Sequence, residues 1–167
     1  EKEVQSLANK LKGNATVSFS DSKIRVAIFA SKQNHCLLDL LWRARSGELP
    51  MVVPLVISNH IELKSLCDEF DVDYAYVANQ PDCKIKAEKT ILGLLDDYQI
   101  ELGILAKYMQ ILSGDFIQDS PPIINIHHSF LPAFKGAQPY QQAWLRGVKV
   151  IGATAHYVTA ELDSGPI

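Results

Sequence analysis

The sequence predicts an open α/β fold built on a mostly parallel sheet, and three observations carry that prediction. From Lys23 onward, short apolar runs rich in β-branched residues alternate with stretches of helical periodicity. The runs are nearly continuous in their apolarity, which suits strands covered by helices on both faces. Hydrophobic residues make up 47% of the 167 and charged residues 21%, the balance of a globular domain and not of a disordered chain.

Taken in order, the first 22 residues stand apart from this rhythm. Residues 4–11 read as a short amphipathic helix closed by Gly13, and residues 14–19 alternate polar and apolar (Ala15, Val17, Phe19) as a half-exposed strand does. One helix and one strand cannot build a core, so residues 1–22 are expected to be the remnant of another module. Strands are then expected at 24–29, 52–57, 74–77, 102–105, 123–126 and 150–157. Between them, Leu37, Leu40, Leu41 and Ala44 share one helical face, with Gly47 near its end. Leu63, Leu66, Cys67 and Phe70 share a second face, and Ile91, Leu94, Leu95 and Tyr98 form the stripe of a longer helix over 85–98. Pro139 opens a last helix through Trp144 to Arg146, at a position that tolerates proline, and Gly147 stops it. Residues 23–167 form the main domain, which is expected to be incomplete at its C-terminal end because no closing helix follows Pro166. Ligands of such folds sit at the carboxyl ends of the strands.

Composition excludes several functions. A net charge of −3 gives no support for nucleic-acid binding driven by counterion release. Cys36, Cys67 and Cys83 form no CxxC pair and read as reduced thiols of a cytoplasmic protein. No apolar run approaches the roughly 18 residues of a membrane span, so no membrane partner is expected. The first residues, Glu1-Lys2-Glu3-Val4, resemble neither a signal nor a transit peptide.

The densest group of reactive side chains is Ile123-Ile124-Asn125-Ile126-His127-His128-Ser129. A period of two sends Asn125 and His127 to the same side of a strand end, so an amide donor and an imidazole arrive together. The loop after them, Phe130-Leu131-Pro132-Ala133-Phe134-Lys135-Gly136, is stiff and able to wall off a site. Asp163 sits just ahead of a Gly-Pro pair, turn chemistry that fixes a carboxylate on a tight loop. If the strand before Asp163 lies beside the one carrying Asn125, the carboxylate faces His127 and orients its ring. Two plainer readings stand beside this one: Asn125 and Asp163 as turn residues, and His127 bonded to a nearby carbonyl. A zinc site from His127, His128, His156 and Asp163 matches no established ligand spacing, and adjacent histidines on a strand point to opposite faces. An amide, an imidazole and a carboxylate suit direct attack on a carbonyl, with the donors stabilising the oxyanion. Covalent hydrolysis is disfavoured, since no G-x-S-x-G elbow is present.

These same residues carry a resemblance. Asn125-Ile126-His127, Leu131-Pro132, Phe134-Lys135-Gly136 and Leu162-Asp163-Ser164-Gly165-Pro166 resemble the signature of the folate-dependent formyltransferase family. The stretches Ser31-Lys32-Gln33-Asn34-His35-Cys36-Leu37, Ile57-Ser58-Asn59-His60, Leu105-Ala106-Lys107-Tyr108-Met109, the pair His127-His128 and Ile151-Gly152-Ala153-Thr154-Ala155-His156-Tyr157 resemble its hydrolytic branch. The resemblance implies the Rossmann-like formyltransferase fold, and hydrolysis of 10-formyltetrahydrofolate to tetrahydrofolate and formate. It implies Asn125 and His127 as polarisers of the formyl oxygen, and Asp163 as the group that positions or deprotonates the attacking water. It also implies that Leu105, Lys107, Tyr108, Met109, Gln110, Ile111 and Leu112 line a pteridine pocket, with His128 touching substrate and His156 and Ser129 in support.

No metal and no tightly bound cofactor is expected from the resemblance. The partners it implies are the folate substrate and water, an amino-acid effector on a missing ACT-like module ahead of residue 23, and a second copy of the chain. Nucleotide-formylating relatives carry a glycine-rich loop after the first strand that holds an acceptor's phosphate. Here the stretch reads Ala30-Ser31-Lys32-Gln33-Asn34-His35, so water is the simpler acceptor. Transfer to a nucleotide, sugar-nucleotide or aminoacyl-tRNA acceptor is the alternative, and a folate-binding fragment without turnover a further one. Gln110 departs from the family, in which arginine is common at that place.

Overall fold

Among the described residues, six strands and six helices follow one another. A computed structural model describes residues 2–15, 22–78 and 83–167. In order the elements are α1 (Lys2–Lys10), β1 (Ile24–Ala30), α2 (His35–Ser46), β2 (Met51–Ser58), α3 (Lys64–Glu69) and β3 (Asp73–Tyr76). Then come α4 (Lys84–Asp97), β4 (Leu102–Ala106), α5 (Gly114–Asp119), β5 (Ile123–His127), α6 (Pro139–Leu145) and β6 (Thr154–Tyr157). The strands form one sheet in the order β3-β2-β1-β4-β5-β6. All neighbouring pairs are parallel except β5 and β6, which run antiparallel.

The near-continuous apolarity of β1 is explained by two cores, one on each face of the sheet. Val26, Ile28 and Ala30 join Leu37 and Leu41 of α2 and Cys67 of α3 on one face. Ala27 and Phe29 face the other way, toward Ala87, Ile91 and Leu95 of α4 and Phe116 of α5. Alternate residues of one strand are thus buried on opposite sides, as the period of two requires. Gly47 ends α2 in the left-handed conformation (φ 81°) that glycine adopts without penalty, and its N–H caps the Ala44 carbonyl.

The structure departs from the sequence reading in three places. The strand expected over 150–157 is ordered as a strand only from Thr154, because Thr154 pairs with His127, the last residue of β5. Upstream of it Val150 and Ile151 are exposed and have no ladder to join. A helix the sequence did not announce, α5, has six residues and a single buried one, Phe116, too few to show a period. The half-strand expected at 14–19 falls largely outside the described residues. His128 lies beyond β5, so it does not oppose His127; the two rings lie 5.6 Å apart. Among the described residues, no helix is long and apolar enough to cross a membrane.

Candidate active site

The carboxyl ends of β4 and β5 and the chain leaving β6 line an open cavity. One wall is the end of β4 and the β4–α5 connection, with Leu105 of the strand and Tyr108, Gln110, Ile111 and Leu112 of the connection facing in. The opposite wall is the return segment after β6, through Val158, Thr159, Ala160 and Leu162. Asn125, His156 and Asp163 close one end.

Strand pairing brings these three together. Antiparallel register sets Asn125 of β5 directly against His156 of β6. His156 Nδ1–H donates to the Tyr157 carbonyl (3.0 Å), which leaves Nε2 to accept from the Asn125 amide at 3.4 Å. The chain then doubles back through residues 158–162 and returns Asp163 to the same place. Asp163 takes the left-handed conformation (φ 53°), which aspartate tolerates better than most residues. Its Oδ2 accepts the Gly136 N–H at 2.9 Å and lies 3.4 Å from His127 Nδ1, while Oδ1 lies 3.6 Å from His156 Nε2. Gly165 presses so closely on β6 that a Cβ there would lie 1.7 Å from the Tyr157 carbonyl oxygen. The Tyr157 N–H completes the clamp by donating to the Pro166 carbonyl (2.9 Å).

His127 sits behind this carboxylate and not on the cavity surface. Its Nε2 bonds the Phe134 carbonyl at 2.7 Å and its Nδ1 faces Asp163, so both ring nitrogens meet acceptors. His127, His156 and Asp163 are all buried, at 5%, 4% and 7% exposure, so little water screens the three charges or dipoles from one another. The stiff loop 130–136 therefore does more than wall the site, since its Phe134 carbonyl and Gly136 amide hold two of the three groups.

The remaining candidates divide. The side chains of Lys107 and Met109 lie off the cavity; Lys107 turns the chain out of β4 at φ 60°, and the Met109 N–H donates to Ser31 Oγ (3.0 Å). His128 stacks edge-on against Tyr140 of α6 at 5.1 Å. Burial first, then Lys107 and His127, push its pKa below the ordinary 6.5, so it is neutral at pH 7. Ser129 is fully buried, its carbonyl accepting from Thr154 Oγ1, and its hydroxyl has no hydrogen-bond partner among the described residues. Burial, with the Glu88 charge, raises the Tyr108 phenol to about 12, so it stays protonated. The sequence reading missed the wall formed by residues 158–162 and Ile117, which depends on the chain doubling back and carries no periodic signal.

An amide donor, an imidazole-backed carboxylate and a second histidine gathered at a strand end form a set of groups able to assist direct attack on a carbonyl. Residues 24–167 match the formyl transferase family, and the chain belongs to it. It is 56% identical over 161 residues to the formyltetrahydrofolate deformylase of Synechocystis sp., an alignment covering 96% of this chain and 57% of the relative. The crystal structure of a formyltetrahydrofolate deformylase from Pseudomonas syringae superposes with a TM-score of 0.92 at 44% identity, covering 99% of this chain and 56% of that one. Glycinamide ribonucleotide transformylase 1 from Symbiobacterium toebii is more distant, at a TM-score of 0.80 and 32% identity over 92% of this chain and 74% of that one. The chain spans about half the length of the curated relatives it matches.

Proposed function

We propose that this chain carries the machinery that hydrolyses 10-formyltetrahydrofolate to tetrahydrofolate and formate. The observation that carries this reading is the convergence of Asn125 and Asp163 on one cavity, with His127 held 3.4 Å behind the carboxylate. The pterin lies against the β4–α5 wall, where Leu105, Ile111 and Leu112 offer apolar surface and exposed backbone offers donors and acceptors. The Asn125 amide donates to the formyl oxygen. His127, behind Asp163 with Nδ1 at 3.4 Å, holds that carboxylate in place and acts on the developing charge at the same oxygen through space. Asp163 takes a proton from water as the water oxygen bonds to the formyl carbon. The tetrahedral intermediate then collapses, the carbon–N10 bond breaks, and the proton passes from Asp163 to N10. His128 touches the substrate side of the site, and His156 and Ser129 support it.

Water as the acceptor is supported by the names of the similar deformylases and by the loop after β1. That loop lacks glycine, and its Ser31 hydroxyl is already occupied, donating to Asn59 Oδ1 (2.7 Å) and accepting from Met109 N–H. Similarity to a transformylase structure favours one alternative, formyl transfer to an amine acceptor. The two separate in one assay. Protein and 10-formyltetrahydrofolate without acceptor should yield formate and tetrahydrofolate in equal amounts; formate that appears only when an acceptor is added defeats the hydrolytic reading. Asn125→Ala should lower kcat on the order of 10²-fold with folate affinity retained, the usual effect of removing one oxyanion donor. A loss below tenfold refutes its role.

The same proposal includes the rest of the protein's setting. Residues 1–22, of which α1 is described, are the end of an ACT-like module that takes an amino-acid effector, and residues 23–167 are most of the catalytic domain. The protein acts as a homo-oligomer, without a resident cofactor. Three free thiols support a cytoplasmic setting.

A further inference from the structure

Glu88 lies on α4, outside the cavity, yet it is buried at 8% exposure and both of its carboxylate oxygens are used on one residue. Oε1 accepts the Ser113 N–H at 2.9 Å and Oε2 accepts the Ser113 hydroxyl at 2.6 Å. The Ser113 oxygen in turn accepts the Phe116 N–H (3.1 Å) and caps α5. Ser113 is the residue at which the cavity wall of residues 108–112 ends. The other end of that wall is tied by Met109 N–H to Ser31 Oγ, itself fixed by Asn59. Between these two ties the wall makes no ladder with the sheet, since β4 stops at Ala106 and Lys107 turns away at φ 60°.

We propose that Glu88 is a positioning residue that sets the shape of the substrate cavity by holding the C-terminal end of its β4–α5 wall. A buried carboxylate with two short hydrogen bonds is a stiff tether, and losing it leaves a buried N–H and hydroxyl unserved. The wall is then held by Ser31 and by the buried Tyr108 and Leu112 side chains, and its C-terminal end loses its polar tie and shifts. Substrate binding suffers because the wall supplies the binding surface, whereas Asn125, His127 and Asp163 lie on other elements and keep their geometry. Three residues before Ile91, Glu88 falls on the apolar stripe of α4, a polar residue on a buried face.

The inference rests on the wall receiving the folate, and two readouts keep its failure apart from failure of that reading. In steady-state hydrolysis of 10-formyltetrahydrofolate, Glu88→Ala should raise KM at least tenfold while kcat stays within threefold. Glu88→Gln keeps an acceptor for the Ser113 N–H and should bring KM back to within threefold of the parent protein. Ser113→Ala, which keeps the N–H bond and loses only the hydroxyl, should raise KM about threefold. A folded Glu88→Ala protein with unchanged KM, or with kcat reduced and KM unchanged, overturns the proposal. Should Glu88→Ala not fold, the Gln and Ser113 variants decide it by the same KM criterion. Hydrogen exchange supplies the ligand-free readout: Glu88→Gln or Ser113→Ala should speed exchange at residues 110–113 and leave β5 protected. Faster exchange at Ser113 alone overturns the proposal even if the parent protein leaves 10-formyltetrahydrofolate intact, a result that defeats only the functional reading.

Discussion

Replacing Gly165 by alanine inserts a methyl group where the chain has no room. The new Cβ would sit 1.7 Å from the Tyr157 carbonyl oxygen, and real Cβ contacts essentially never fall below 3.0 Å. The segment must therefore retreat by about 1.3 Å, and the obstacle is backbone of β6 that cannot rotate aside. Retreat breaks the Tyr157 N–H to Pro166 bond (2.9 Å), worth about 1 kcal/mol, and the total cost to the fold should fall at about 1–3 kcal/mol. Catalysis should suffer far more. Asp163 lies two residues away, held at 2.9 Å from Gly136 N–H and 3.4 Å from His127, and a displacement of about 1 Å from productive geometry costs on the order of 10²-fold in rate. Gly147→Ala is the comparison: Gly147 has φ 67° and nothing within 4 Å, so its substitution should cost about 1 kcal/mol of backbone strain and leave kcat unchanged. Formate release and thermal melts on the two variants give both numbers. A Gly165→Ala protein that keeps kcat/KM within threefold and still protects the Tyr157 amide from exchange refutes the clamp.

Further outcomes are expected elsewhere. The His128 imidazole should titrate below 6.5 by NMR, and Lys107→Met should move its midpoint upward; a midpoint at or above 6.5 in the parent protein contradicts the assigned causes. Because the folded form binds this proton less readily than the unfolded one, the stability His128 contributes is whole above about pH 6.5 and is lost as the pH falls below it through the lower folded-state value. A His128→Gln variant should accordingly show a flatter melting temperature between pH 7.5 and 5.5, on the order of one unit to either side of that midpoint. In the sheet, Gly103→Ala puts a Cβ 3.0 Å from Ile123 and 3.2 Å from Phe29, and overpacking should destabilise the protein by about 1–3 kcal/mol in denaturant unfolding; a stabilised variant contradicts the packing.

The parallel sheet was readable because its inner strands, β1 and β2 above all, are buried on both faces, which writes continuous apolarity into the chain. Asn125 and Asp163 were readable because their types and positions are unusual: an amide inside an apolar run, and a carboxylate ahead of Gly-Pro. What could not be read depends on events between distant segments. His156 gains its place from the register of β6 on β5, 31 residues from Asn125. Glu88 gains its place from the packing of α4 beside α5, 25 residues from Ser113. The end of β6 ladder pairing at Thr154 is set by where β5 stops, and Val150 and Ile151 look no less like strand residues for lying beyond it.

The reversal of direction between β5 and β6 explains how the site is built. Parallel strands deliver their carboxyl ends to one edge of the sheet, and β4 and β5 bring Leu105, Asn125 and His127 there. An antiparallel β6 enters at that edge and leaves at the other, so the chain has to return to bring Asp163 into place. The return segment becomes the second cavity wall, facing the β4–α5 connection. Both walls are therefore loops without a ladder, and their geometry depends on a few clamps: Ser31 and Glu88 on one side, Gly136 N–H and the Gly165–Tyr157 fit on the other. Substitutions in the sheet core should then lower stability with little effect on kcat or KM, whereas substitutions at these clamps should change kinetics out of proportion to their cost to the fold. The clamps also divide the work, since the Glu88 side holds the surface that binds and the Gly165 side holds the carboxylate that reacts.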